Sequence, residues 1–183
     1  VKDTILITTL SWPVMIILSS LPFYLDINCE NYIDAIFEAT SGLTTTGATV
    51  YKEVESLSSG ILIWRALLQW LGGIGIIVMA VAILPMLSIG GMQLFKTESY
   101  ETPDKIIPRA AIFASGISIV YIVLTSTWAF MLWFAGMPIF DSITHAMTTL
   151  ATGGYSTKSE SLGAFNSVNI EMIIVFGMIV GSL

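Results

Sequence analysis

Apolar positions in this chain come in runs of two lengths. Thr4–Leu25, Ile61–Leu87 and Ala110–Met137 each stay largely apolar for over twenty residues, enough for a helix to cross a hydrocarbon core of about 30 Å. A fourth long run starts at Ile170 and reaches Leu183. Between them, Tyr32–Leu43 and Ile139–Leu150 also read as helices. At about 1.5 Å per residue they extend only some 18 Å, so they enter a membrane without crossing it. The order is long, short, long, and then the same again.

The second half copies the first. A constant offset of 107 lays Asp34 on Asp141, Ile36 on Ile143, Ala39 on Ala146, Leu43 on Leu150, Thr45 on Thr152 and Gly47 on Gly154. Six identities across fourteen positions, in matching hydropathy contexts, indicate a duplication. Each unit makes two full crossings and returns the chain to its starting side, so the copies run parallel about an axis along the membrane normal. Such an axis lets equivalent loops converge from one side. The predicted fold is an all-α membrane protein of parallel helix–pore loop–helix repeats. Residues 1–88 form the first, 89–109 a connection and 110–183 the second.

Composition supports the membrane assignment. Apolar residues make up 55% of the 183 and charged residues 11%, with a mean hydropathy of +0.84, against about 25% charged in soluble domains. A net charge of -6 without any Lys/Arg run argues against a nucleic-acid partner. Cys29 is the single cysteine and forms no internal disulfide. A start at Val1 and a stop inside an apolar run read as cuts through a longer protein. Lys2, Lys96, Lys105 and Arg109 fall on one side of the topology, and Lys52, Arg65 and Lys158 on or near the other with most carboxylates. The positive-inside tendency then makes the Ser88–Arg109 connection cytoplasmic and turns both short-helix loops outward.

Each short helix leads into an uncharged loop, Thr45-Thr46-Gly47-Ala48 in the first unit and Thr152-Gly153-Gly154-Tyr155 in the second. Non-helical backbone at membrane depth needs partners, from packed protein or from water. A cation is such a partner: potassium-channel loops reading TVGYG replace an ion's hydration shell with backbone carbonyls. Aiming successive carbonyls at one axis requires alternate residues near left-handed angles, which Gly47 and Gly154 adopt without steric penalty. The hydroxyls of Thr45 and Thr152 would add a ligand at the inner end. The carboxyl ends of the short helices, each carrying roughly half a negative charge, would favour a cation in the cavity. Thr and Gly are equally common in polar surface turns, and an inert membrane scaffold remains the alternative.

Three stretches, "FEATSGLTTTGAT", "LLQWLGGIGIIVMAVAILPMLSIGGMQLF" and "TLATGGYST", together resemble the Trk/Ktr superfamily of potassium-uptake membrane subunits, most closely its bacterial TrkH type. The resemblance implies four helix–pore loop–helix repeats around one ion path, of which this chain would supply two. It implies filter positions at Gly47, flanked by Thr45, Thr46 and Ala48, and at Gly154, flanked by Thr152, Gly153 and Tyr155. Potassium is then the transported ion, with no organic cofactor in the chain, and only Gly154-Tyr155 keeps the channel Gly-Tyr pair. Also implied are a bacterial inner-membrane location, a homodimer in full-length form and a cytosolic nucleotide-binding regulatory subunit, for which Ser88–Arg109 is one candidate contact.

Other residues invite structural readings. Asp34 and Asp141 sit where a carboxylate caps helix amides or attracts ions, and Asp26, Glu30, Glu53 and Glu55 give the outer loops an acidic mouth. Arg65, inside a spanning segment, is expected to pair with an outer carboxylate, Glu38 being the candidate. Gly72-Gly73, Gly75 and the Gly177/Gly181 pair suggest close helix packing. His145 takes the repeat position of Glu38 and reads as structural. Its pairing with Ser115 as an intramembrane serine hydrolase is the enzyme alternative.

Overall fold

The computed structural model describes residues 2–87 and 106–182. Six α-helices follow one another: α1 (Lys2–Tyr24), α2 (Tyr32–Leu43), α3 (Ser59–Leu87), α4 (Ile106–Phe134), α5 (Ile139–Leu150) and α6 (Val168–Ser182). No strand occurs among the described residues. Both short helices keep the predicted boundaries. The long ones begin earlier than expected, so Arg109 lies within α4 rather than in a connection. Most of the Ser88–Arg109 connection, with Lys96 and Lys105, falls outside the described residues.

The long helices present apolar side chains outward. Leu10, Val14 and Leu18 of α1 and Ile119, Val123, Phe130 and Phe134 of α4 are all exposed. Ser59–Ile77 and Ala114–Phe134 are long and apolar enough to cross a bilayer, and only 17% of the latter is buried. An unburied helix of that hydropathy is at home in lipid, where a soluble core helix would be covered.

The short helices are held differently. α2 buries Ala35, Glu38, Ala39 and Gly42, and α5 buries Ser142, His145, Ala146 and Thr149. In α2 these follow the i, i+3, i+4, i+7 spacing of one helix face, and the four in α5 match them residue for residue across the repeat, although α5 is covered more fully, with every residue from Thr144 to Leu150 buried. α2 packs between α1 and α3, and α5 between α4 and α6. α3 also lies against α4 and α5, so it is the seam joining the halves. Indole hydrogen bonds fix the spacing of the long helices. Trp64 Nε1 donates to the Ser19 carbonyl on α1 at 3.1 Å, Trp70 Nε1 to Thr125 Oγ1 on α4 at 2.9 Å, and Trp128 Nε1 to the Ile173 carbonyl on α6 at 3.0 Å. Where lipid offers no alternative partner, such bonds locate one helix on another.

Small residues let the later helices close in. A Cβ on Gly72 would sit 2.1 Å from the Leu43 carbonyl oxygen, and one on Gly181 would sit 2.6 Å from that of Leu150. Gly73 and Gly177 are crowded as well, whereas a Cβ on Gly75 would meet nothing within 4 Å among the described residues. Gly72 and Gly181 thus meet the same atom of matched residues, which sets Ile174 and Met178 of α6 in the places of Arg65 and Gln69 of α3.

Candidate functional site

Both short helices end in the same backbone motif. The Thr45 amide donates to the Gly42 carbonyl at 3.0 Å and the Thr46 amide to Ser41 at 2.9 Å. In the second half, Thr152 donates to Thr149 at 3.0 Å and Gly153 to Thr148 at 2.9 Å. Paired bonds of this kind close a Schellman turn, whose residue after the cap is left-handed and is usually glycine. Here it is threonine: Thr45 has φ 53° and Thr152 φ 51°. The glycines two residues on are left-handed too, Gly47 at 79° and Gly154 at 83°. Every second residue of each loop therefore turns the same way, as expected for the glycines; the threonines add the other half of the alternation. A β-branched residue at positive φ is strained, at about 1–3 kcal/mol.

Among the described residues no protein donor reaches the carbonyls of Thr45, Thr46, Gly47, Thr152, Gly154 or Tyr155. The other two filter candidates differ. The Ala48 carbonyl accepts the Tyr155 hydroxyl at 3.3 Å, and that of Gly153 accepts Gln69 Nε2 at 2.8 Å. The loops touch each other, since a Cβ on Gly47 would fall 2.0 Å from the Gly153 oxygen.

Each loop is then tied back to its own short helix by repeat-equivalent bonds. Glu38 accepts the Thr49 hydroxyl, and His145 Nε2 lies 3.0 Å from the Ser156 hydroxyl. In turn the Tyr51 amide donates to Thr49 Oγ1 at 3.2 Å, and the Lys158 amide to Ser156 Oγ at 3.0 Å. His145 Nδ1 meets the Asp141 carbonyl at 2.8 Å, so Nδ1 donates and Nε2 accepts. Both ring nitrogens are thus engaged, and the hydrolase pairing with Ser115, which is exposed on α4, is not found. The capping role expected of the two aspartates is also absent. Asn31 and Pro138 hold the cap positions, neither helix has a side-chain cap bond, and the Asp141 carboxylate instead accepts the Thr157 hydroxyl at 2.7 Å.

Behind the loops lies a buried cluster at the seam. Glu38 is wholly buried and Arg65 nearly so, and Arg65 Nε lies 3.4 Å from Glu38 Oε2, the pairing expected from sequence. Glu38 also accepts the Val50 amide at 2.7 Å and the Tyr155 hydroxyl at 3.0 Å. Arg65 donates to the Ser156 carbonyl at 3.2 Å, and its guanidinium carbon lies 4.1 Å from the Tyr155 ring centre and 6.0 Å from that of Tyr51. A buried ion pair is tolerable only with further polar partners, and here the Thr49, Val50 and Tyr155 donors serve Glu38 while the Ser156 carbonyl and the Tyr155 ring serve Arg65.

Sequence reasoning left Gln69 unassigned and read Tyr155 only as the source of a backbone carbonyl. A single neutral amide in an apolar spanning helix is the signal that flags Gln69, because in lipid such a group must find a partner. Nothing local marks the Tyr155 side chain, whose partners lie in the other half.

Comparison with known proteins agrees with this architecture. The chain is 45% identical over 182 residues to the Trk system potassium uptake protein TrkH of Salmonella typhimurium, covering 98% of this chain and 38% of that protein. To the Trk system potassium uptake protein TrkI of Halomonas elongata it is 45% identical over 159 residues, covering 87% of this chain and 32% of that protein. The crystal structure of the potassium transporter TrkH from Vibrio parahaemolyticus superimposes with a TM-score of 0.83 at 41% identity, over 98% of this chain and 36% of that one. The chain therefore spans less than two fifths of the length of these relatives. The model of the TrkH family, described as cation transport protein, matches residues 1–183, and the chain belongs to that family.

Proposed function

We propose that the complete protein carries potassium across the membrane, and that this chain supplies two of four helix–pore loop–helix repeats around the ion path. In this reading residues 1–88 and 110–183 are the repeats. Dehydrated ions are held by carbonyls of the segments 45–48 and 152–155, with Thr45, Thr46, Gly47, Ala48, Thr152, Gly153, Gly154 and Tyr155 as the filter positions. The observation that carries it is the shared alternation of left-handed residues at 45 and 47 and at 152 and 154, directly after two sub-spanning helices. Six of the eight carbonyls carry no protein donor among the described residues, while those of Ala48 and Gly153 are taken by Tyr155 and Gln69. The names of the relatives supply the ion.

A cavity of about 250 Å³ supports the count of repeats. It is lined by His145, Thr152, Tyr155, Ile174 and Met178, among others, the matched counterparts of Glu38, Thr45, Ala48, Arg65 and Gln69. The Tyr155 side chain enters the first half at that place, and the loop of a following repeat would enter the second half here. The loops are proposed to face outward and the Ser88–Arg109 connection the cytoplasm, in a bacterial inner membrane, on the charge distribution. A homodimer and a cytosolic nucleotide-binding subunit rest on the family resemblance. The reading is of a transporter and not of an enzyme.

The test is rubidium and sodium flux through the complete protein in liposomes, with and without a proton gradient. Gly47→Ser and Gly154→Ser should still insert yet lower cation flux or broaden its selectivity, with Gly47→Ser also losing stability because its Cβ meets the Gly153 oxygen. Unchanged flux and selectivity in both would remove the filter.

A further inference from the structure

The second loop is shaped from outside its own repeat. Gln69 stands on α3, in the first half, and is wholly buried. Its Nε2 donates to the Gly153 carbonyl at 2.8 Å and its Oε1 accepts the Tyr155 amide at 3.1 Å. One planar amide therefore bridges the residues on either side of Gly154 and fixes their separation, while a Cβ on the intervening residue would meet no described atom within 4 Å. A Cβ on Gly153 would lie 2.3 Å from Gln69 Cδ, and Gly153 itself is not left-handed. Glycine at 153 thus makes room for the amide and is not required by the backbone. The matched place on α6 holds Met178, which has no such amide to offer.

We propose that Gln69 is a specificity-determining positioning residue, an amide clamp through which the first repeat sets the shape of the second repeat's loop around Gly154. This inference rests on the filter reading above. Gln69 touches no ion. It acts by holding one carbonyl away from the path and one amide in place, so that the Gly154 carbonyl keeps a fixed direction. Without the clamp the loop still follows α5, because the Schellman turn at Thr152 and the tie from Ser156 to His145 are independent of it. Its width is then no longer fixed, and the smaller or the more strongly hydrated ion is no longer rejected.

The experiment compares the rubidium to sodium flux ratio in the complete protein for wild type, Gln69→Met, Gly153→Ala and the double variant Gln69→Ala/Gly153→Ala, with Gly154→Ser as reference. Gln69→Met keeps the bulk and removes both bonds, and the ratio should fall severalfold. Gly153→Ala reaches the same result by displacing the amide. In the double variant the new methyl group occupies space that Gln69 vacates, so membrane amount recovers while the ratio stays low. Effects on one clamp do not add, whereas two unrelated lesions would. If Gly154→Ser changes the ratio and neither Gln69→Met nor the double variant does, the clamp is overturned and the filter stands. If Gly154→Ser leaves the ratio unchanged as well, the filter reading itself has failed.

Discussion

The Tyr155 hydroxyl lies 3.0 Å from both the main-chain carbonyl and the carboxylate of Glu38, although 117 residues separate the two in sequence. One phenol thus pins the loop of the second half to the short helix of the first. Tyr155→Phe keeps the ring over Arg65 and removes only these bonds and the weaker one to Ala48. It should destabilise the protein by about 1–3 kcal/mol, the range for stripping a partner from buried acceptors. Thermal unfolding in detergent measures this, and an unshifted midpoint would show that the hydroxyl contributes nothing.

Arg65→Met leaves the buried Glu38 carboxylate without its counter-charge. Removing one member of a buried pair costs about 3–5 kcal/mol, so the single variant should be poorly stable. Adding Glu38→Gln should restore part of the loss. A double-mutant cycle with strictly additive effects would mean that the two side chains are not coupled.

Gly47 and Gly154 are equivalent in φ but not in surroundings. Alanine at 154 meets only the left-handed penalty of about 1–2 kcal/mol, since its space is open. Alanine at 47 would also place its Cβ 2.0 Å from the Gly153 oxygen. Gly47→Ala should therefore be much the more damaging of the two in both melting temperature and rubidium flux, and equal damage would contradict the asymmetry.

The left-handed threonines give the opposite sign. Thr45→Gly and Thr152→Gly relieve backbone strain and should each raise stability by up to about 1 kcal/mol. They also remove a hydroxyl from the inner end of the loop, so rubidium selectivity should fall as melting temperature rises. A lower melting temperature would show that the hydroxyls stabilise more than the strain costs.

Outside the spanning segments, Glu55 links the loops that lead into α3 and α6. Its exposed carboxylate accepts the hydroxyl and the amide of Ser159, and these bonds hold its pKa below the ordinary 4.5. A lowered folded-state value stabilises the charged form, so the contribution is complete above pH 4.5 and disappears as pH falls through the folded value. The difference in melting temperature between wild type and Glu55→Ala should accordingly vanish in that acid range. A difference that persists unchanged below it would remove the link from this carboxylate.

Much of this was legible in the chain, and what was not has a physical pattern. The order of helices, the offset between copies and the turn of Gly47 and Gly154 all follow from local hydropathy and backbone sterics. The Glu38–Arg65 pair followed from the expense of an ionisable group in a spanning helix. By contrast, the partners of Tyr155 and Gln69 lie 84 to 117 residues away, and no local rule ranks them. The strained threonines were hidden because helix ends ordinarily use glycine there, and the expected caps were missed because Asp34 and Asp141 lie inside the first turns, with Asn31 and Pro138 at the cap positions.

The matched positions at the seam are not alike: Gln69 and Arg65 have Met178 and Ile174 as their counterparts, and Tyr155 has Ala48. A chimaera built of two first halves would bring a methyl group to the place where the phenol stacks on the guanidinium. The halves have become left and right hands of one object, and neither can be exchanged for the other.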